Sequence, residues 1–196
     1  MTARLVVLIS GNGSNLQAIL DACQSGEFDA QVVTVISNKA DAYGLIRAQN
    51  ANVEAVHFAK RVNESRQEYD QRLADYVTTK LPDYVILAGW MRLLSSSFLS
   101  SFPDKVINLH PALPGMFPGT HAIERAFEAY QRGEIEHTGV MVHLVPDEGM
   151  DNGPVLATEI VPIQKDDTLE TLESHVHETE HRLLVNTMKE LLAISA

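Results

Sequence analysis

The residues best placed to do chemistry are Asn108 and His110, in the run Val-Ile-Asn-Leu-His-Pro of residues 106–111. In an extended chain, residues two apart face the same side, so an amide and an imidazole project together. Pro111 cannot donate to a strand ladder, which puts the pair at a strand's carboxyl end. A lone histidine is more often a core residue, but the Asn-x-His-Pro grouping favours a site that moves protons. A second group is Gly11-Asn12-Gly13-Ser14-Asn15, which follows an apolar run and opens a helical pattern. Unpaired N–H groups and the helix dipole make such a turn a phosphate cradle. Leu16 replaces the third glycine of a dinucleotide fingerprint, Ser37-Asn38 supplies no acid for a ribose, and the P-loop lysine is absent. A single phosphate is therefore expected, rather than a dinucleotide or nucleoside triphosphate.

Acidic residues form the third group. Asp147, Glu148 and Asp151 lie in a glycine-bearing loop, and a carboxylate beside a histidine raises the imidazole pKa. Sequence alone does not bring Asp151 to His110. Glu180 falls inside an apolar helical stripe between Val176 and Leu183, where a carboxylate needs a partner or a ligand; Glu173 leans the same way. His177-Glu178-Thr179-Glu180-His181 matches the zinc pattern H-E-x-x-H, but no third ligand is evident, and no metal is expected.

The elements that must hold these groups alternate. Strands are expected at 4–10, 31–37, 53–58, 83–89 and in the stretch 105–114, with helices at 14–23, 43–50, 64–80 and 95–101. Near-continuous apolar strands separated by helices predict an α/β fold with a doubly wound, mostly parallel sheet. Past Pro111 the pattern changes to a Pro- and Gly-rich loop, a helix at 122–132, and strands at 136–145 and 155–161 with no helix between them. Those two strands are expected to extend the sheet antiparallel. A helix at 168–192 closes the chain, its stripe formed by Leu169, Leu172, Val176, Leu183, Leu184, Met188 and Leu191. One domain is expected over residues 1–196.

A net charge of -11, from 26 acidic against 15 basic residues, disfavours nucleic-acid and anionic-membrane surfaces. Cys23 is the only cysteine, there is no secretory signal and no run long enough to cross a bilayer, so a cytoplasmic protein is expected.

The segments VVLISGNGSNLQAI, ISNKADAYGL, SRQEYD, LAGWMRLL, NLHPALP and DEGMDNGP, in this order, closely resemble the glycinamide ribonucleotide formyltransferases. NLHPALP alone fits the wider group of formyltetrahydrofolate-using enzymes; the opening glycine loop with SNKADAYGL is more specific. The resemblance spans nearly the whole chain. It implies a Rossmann-like formyltransferase fold and formyl transfer from 10-formyltetrahydrofolate, as co-substrate, to the amine of glycinamide ribonucleotide in purine biosynthesis. By motif, Gly13, Ser14 and Asn15 would hold the ribonucleotide phosphate and Glu180 the ribose. Arg66 would meet the folate, an isolated arginine suiting an anionic tail, and Met91, Arg92, Leu93 and Leu94 would line the pterin pocket, largely through backbone. Asn108 would bind the formyl donor, His110 would supply the proton, and Asp151 would keep His110 cationic. Residues 1–104 would serve the phosphate and ribonucleotide, and 105–196 catalysis and folate. The chain departs from the pattern by one extra residue, Pro146, before the loop acid; Asp151 fits because it precedes Asn152-Gly153-Pro154, and Asp147 is the alternative. Small-molecule partners, no nucleic acid, no membrane, and a monomer or homodimer are expected. A formyltetrahydrofolate deformylase, a nucleotide-monophosphate binding module and a zinc peptidase are the rival readings.

Overall fold

Side chains that alternate between two buried faces along the first strand divide the molecule into layers. In the computed structural model, which describes residues 2–194, β1 (Ala3–Ile9) turns Leu5, Val7 and Ile9 to one face of the sheet and Val6 and Leu8 to the other. Residues 1, 195 and 196 of the expected span lie outside the described residues.

The chain continues through α1 (Ser14–Ser25), β2 (Ala30–Ser37), α2 (Tyr43–Asn50), β3 (Glu54–His57), α3 (Arg66–Thr78), β4 (Tyr84–Leu87), α4 (Ser96–Leu99) and β5 (Val106–His110). It ends with α5 (Ala122–Gln131), β6 (His137–Leu144), β7 (Val155–Pro162) and α6 (Leu169–Ile194). The strands form one seven-stranded sheet in the order β3-β2-β1-β4-β5-β6-β7. The first five are parallel, whereas β5–β6 and β6–β7 pair antiparallel. This is the expected doubly wound, mostly parallel sheet with its antiparallel extension. Helices α1 and α6 supply the core on the Leu5 face, and α3 and α4 on the Val6 face.

Winding runs outward from β1 to β3, then resumes at β4 on the other side of β1. The carboxyl ends of β1 and β4 thus flank a topological switch point, where parallel sheets open a crevice for ligands. The backbone N–H of Met91 donates to Ser10 Oγ across it (2.8 Å).

Several boundaries differ from the expected ones for local reasons. Strand β4 stops at Leu87, two residues early, because Gly89 turns the chain at φ +81. Helix α3 starts at Arg66 because Ser65 and Glu68 form a reciprocal capping box, leaving Glu64 to pair with Arg72. In α6 the apolar stripe is interrupted by buried Thr179, Glu180 and Thr187, while Leu169 and Leu191 are only partly covered. Among the described residues, no helix is long and apolar enough to cross a membrane.

The 145–154 loop is fixed by a close backbone approach. A Cβ on Gly153 would lie 1.8 Å from the Leu144 carbonyl oxygen, so no side chain fits there unless the loop moves. Gly153→Ala is expected to lower stability by about 2 kcal/mol, read as a lower urea midpoint. An unchanged midpoint would show that the loop tolerates displacement.

Candidate active site

The period of two that builds the layers also aims the candidate side chains. Asn108 and His110 share a face with Val106, which packs into the α3–α4 core, while Ile107 and Leu109 fill the opposite layer. Beyond Val106 the strand passes the end of that core, so its next two side chains meet a polar pocket instead. The antiparallel register sets Asn108 opposite His143 and His110 opposite Met141. Directly paired residues project to the same side, and His143 therefore joins Asn108.

Asp151 lies at the centre of this group. Its Oδ1 accepts from Asn108 Nδ2 (3.1 Å), and its Oδ2 accepts from the Gly119 backbone N–H (2.8 Å). His110 Nδ1 is 3.4 Å from Oδ2, and His143 Nε2 is 3.6 Å from Oδ1. Asp151 holds a left-handed φ of 50, uncommon for a residue with a side chain, and the hydrogen bonds around its carboxylate fix it there. Asp147 instead accepts from the Gly149 backbone N–H within its own loop. A cavity of about 320 Å³ adjoins the carboxylate, lined by Met116, Pro118 and Met150 among others.

His143 also commits Asn108. Its Nδ1 faces the Leu144 carbonyl oxygen (2.9 Å) and its Nε2 faces Asn108 Nδ2 (3.1 Å). A carbonyl only accepts and the amide nitrogen only donates. These partners assign the proton to Nδ1 and leave the Nε2 lone pair to accept. Both amide hydrogens of Asn108 are then in use, one toward Asp151 and one toward His143.

His110 departs from the expectation that Asp151 keeps it cationic. Burial drives its pKa down; Asp151 and the Phe117 carbonyl oppose this, while His143 and Arg125 add to it, and the net direction is below the ordinary value. Its Nε2 lies 3.1 Å from the Phe117 carbonyl oxygen, which also accepts from Arg125 Nη2 (2.7 Å). For Asp151, burial pushes the pKa up, but the contact with the His143 ring, the hydrogen bond from the Gly119 N–H and the proximity of His110 outweigh it and carry it below its ordinary value.

Gly13, Ser14 and Asn15 form the N-terminus of α1, at the sheet edge that also carries Asn108 and His110. Gly13 has φ +76, and a Cβ on it would lie 2.7 Å from the Cα of Gly44, so the N-terminus of α2 docks here through bare backbone. That docking brings in Arg47, which donates through Nε to the Asn12 carbonyl and through Nη2 to Asn12 Oδ1 (2.9 Å each). The buried Asn15 Oδ1 has no partner among the described residues. Glu180 is buried on α6 and pairs with His177 Nδ1 (2.7 Å), which raises the His177 pKa. His181 turns a buried, unpartnered Nε2 inward. Among the described residues, no group of three or more His, Cys, Asp or Glu converges as a metal site.

One expectation for the folate side needs correction. Arg66 is not isolated: its guanidinium pairs with Glu148, whose other oxygen accepts from the Ser96 backbone N–H (2.8 Å). The Leu94 side chain is buried in the α3–α4 core, which leaves only its backbone for a pocket, in keeping with lining largely through backbone, whereas the Met91 and Leu93 side chains are exposed. His143 and Arg47 escaped the sequence reading. The alternation of residues 136–145 with their antiparallel pairing could have exposed His143; nothing local marks Arg47.

The family model described as formyl transferase matches residues 3–188. A phosphoribosylglycinamide formyltransferase of Dictyostelium discoideum is 45% identical over 202 residues, covering 96% of this chain and 98% of that protein. The enzyme of the same name from Escherichia coli is 42% identical over 179 residues, with 91% and 82% coverage. The crystal structure of glycinamide ribonucleotide transformylase 1 from Symbiobacterium toebii superposes with a TM-score of 0.92 at 39% identity, covering 98% of this chain and 88% of that one.

Because burial outweighs Asp151 at His110, its folded-state pKa lies below its unfolded value of about 6.5. The stability tied to the neutral ring is complete above that pH and is lost as the pH falls through the folded-state value. Titration of the His110 ring by NMR is expected to show a midpoint below about 6.5, and Asp151→Asn should move it lower, since Asp151 supports the charged form. A midpoint that rises in Asp151→Asn would contradict the arrangement.

Proposed function

The chain belongs to the formyl transferase family, and we propose that it moves the formyl group of 10-formyltetrahydrofolate onto the amine of N1-(5-phospho-D-ribosyl)glycinamide. The products are formylglycinamide ribonucleotide and tetrahydrofolate, and the setting is purine biosynthesis in the cytoplasm. One observation carries this reading: an Asn–His–Asp cluster shares a sheet edge with a glycine-rich helix N-terminus suited to one phosphate. A hydrolase of formyltetrahydrofolate needs the first feature but not the second.

In this reading Gly13, Ser14 and Asn15 take the phosphate on backbone N–H groups, with Arg47 bracing the loop through Asn12. Glu180 takes the ribose hydroxyls, with His177 holding its carboxylate in place. The pterin lies along Met91–Leu94, and the folate's anionic tail reaches Arg66 by displacing Glu148. Donor contacts thus come from both halves of the chain, since Arg66 and residues 91–94 precede the catalytic strand β5.

The amine lone pair attacks the formyl carbon, a C–N bond forms, and negative charge grows on the former carbonyl oxygen. Asn108 turns the hydrogen that faces His143 toward that oxygen, while its other hydrogen stays on Asp151. Neutral His110 accepts the proton that the attacking nitrogen must shed and returns it to N10 of the folate as the C–N10 bond breaks. Access to Nε2 requires the Phe117 carbonyl to withdraw and the ring proton it holds there to move to Nδ1, facing Asp151, so the 115–121 segment shifts when substrates bind. Asp151 supports the transient imidazolium and holds the ring's orientation.

The direct test is an absorbance assay of 10-formyltetrahydrofolate with and without the ribonucleotide. Consumption is expected only with both present; equal consumption without the ribonucleotide would make the enzyme a hydrolase. His110→Ala is expected to lower kcat by about 100-fold or more while ribonucleotide binding by calorimetry stays within about twofold. Equal loss of binding and turnover would contradict the proton-transfer role.

A further inference from the structure

Residues 88–95 connect β4 to α4 and contain the exposed side chains of Met91 and Leu93. The segment is held at two points by side chains from other elements. At one end the Met91 N–H donates to Ser10 Oγ (2.8 Å), and Ser10 donates onward to Asn38 Oδ1 (2.6 Å). At the other end the Ser95 N–H donates to Asp70 Oδ2 (2.7 Å), a wholly buried carboxylate on α3. Between these points the backbone groups of Arg92, Leu93 and Leu94 make no hydrogen bond to any described residue. Burying a carboxylate is costly, and a neutral side chain would serve as well for packing against α4. The Arg92 guanidinium lies over the Tyr69 ring, 4.5 Å from its centroid, which keeps that side chain against α3 and off the open backbone.

We propose that Asp70 is a positioning residue for the formyl donor. Together with Ser10 it stretches residues 91–95 between β1 and α3, so that the open N–H and C=O groups of 92–94 stay fixed toward the hydrogen-bonding edge of a flat heteroaromatic ligand. Asp70 touches neither substrate. Its effect passes through one backbone N–H, and it sets donor affinity rather than the chemical step. Arg66 lies one turn before Asp70 on α3, and through Glu148 the same face also engages the Ser96 N–H. Adjacent backbone donors at the start of α4 are thereby held by separate carboxylates.

This inference rests on reading residues 91–94 as the wall of the folate pocket, and the experiment separates the two. Steady-state constants for both substrates are measured for Asp70→Ala, Asp70→Asn, Ser10→Ala and Leu93→Ala. Asp70→Ala is expected to raise the donor KM about tenfold, with kcat and the ribonucleotide KM within about twofold. Asp70→Asn keeps an oxygen that accepts the Ser95 N–H and should return the donor KM to within about threefold of the wild type. Ser10→Ala frees the other end without disturbing a buried charge, and should raise the same constant about fivefold; it and Asp70→Asn carry the test if Asp70→Ala fails to fold. Parallel changes in both substrates' constants, with a lowered melting temperature, would reduce Asp70 to a general structural role and overturn the proposal. If Leu93→Ala raises the donor KM while Asp70→Ala and Ser10→Ala do not, the positioning role is wrong. If none of the four variants changes the donor KM, residues 91–95 do not set donor affinity and the proposal falls.

Discussion

The candidate site depends on a single carboxylate. Asp151 reaches Asn108, His110, His143 and the Gly119 backbone, which belong to two strands and the loop after β5. A half-buried carboxylate is tolerable only when its lone pairs are met, and here each contact also fixes something useful. Asn108 is held with one hydrogen committed, His110 with its ring oriented, and the Gly119 segment against the 145–154 loop. Remove the charge, and the same groups keep their places in sequence but lose the reason to face one another.

The sheet makes that convergence possible. Antiparallel addition of β6 to β5 is what places His143 beside Asn108, since a parallel neighbour would carry its chain away to a helix. The parallel half contributes differently: the change of winding direction at β1 opens the edge where Ser10, Gly13 and Met91 lie close to the ends of β4 and β5. Phosphate-type and acid–base functions therefore share one edge without sharing an element. Burial and charge then compete over His110, and burial wins in the free protein. A group that stays neutral at rest and gains charge only transiently suits a proton carrier better than a permanent cation does.

Much of this was legible in the residues. The strand period placed Asn108 and His110 together, the proline after them fixed the edge, and the glycine run marked the helix N-terminus. Asp151 was favoured over Asp147 by its position before Asn152-Gly153-Pro154, and the geometry has Asp151 facing His110. What sequence could not supply were quantities set by three-dimensional neighbours. The sign of the His110 shift depends on how deeply the strand end is covered, Arg66 reads as isolated until Glu148 is folded onto it, and Arg47 reaches the loop only because two glycine backbones pack without side chains. In the sequence Asp70 is one acidic residue on a helix; only the fold buries its carboxylate against the Ser95 N–H.

The most direct test of the central claim is a rapid-quench single turnover with isotope in the formyl carbon, comparing the wild type with Asp151→Asn. If Asp151 organises the chemistry, label appears on the ribonucleotide in both. The rate in the variant falls by about 100-fold or more, while the substrate concentrations that saturate it stay unchanged. An unaltered rate, or label released as formate by the wild type, would contradict the account.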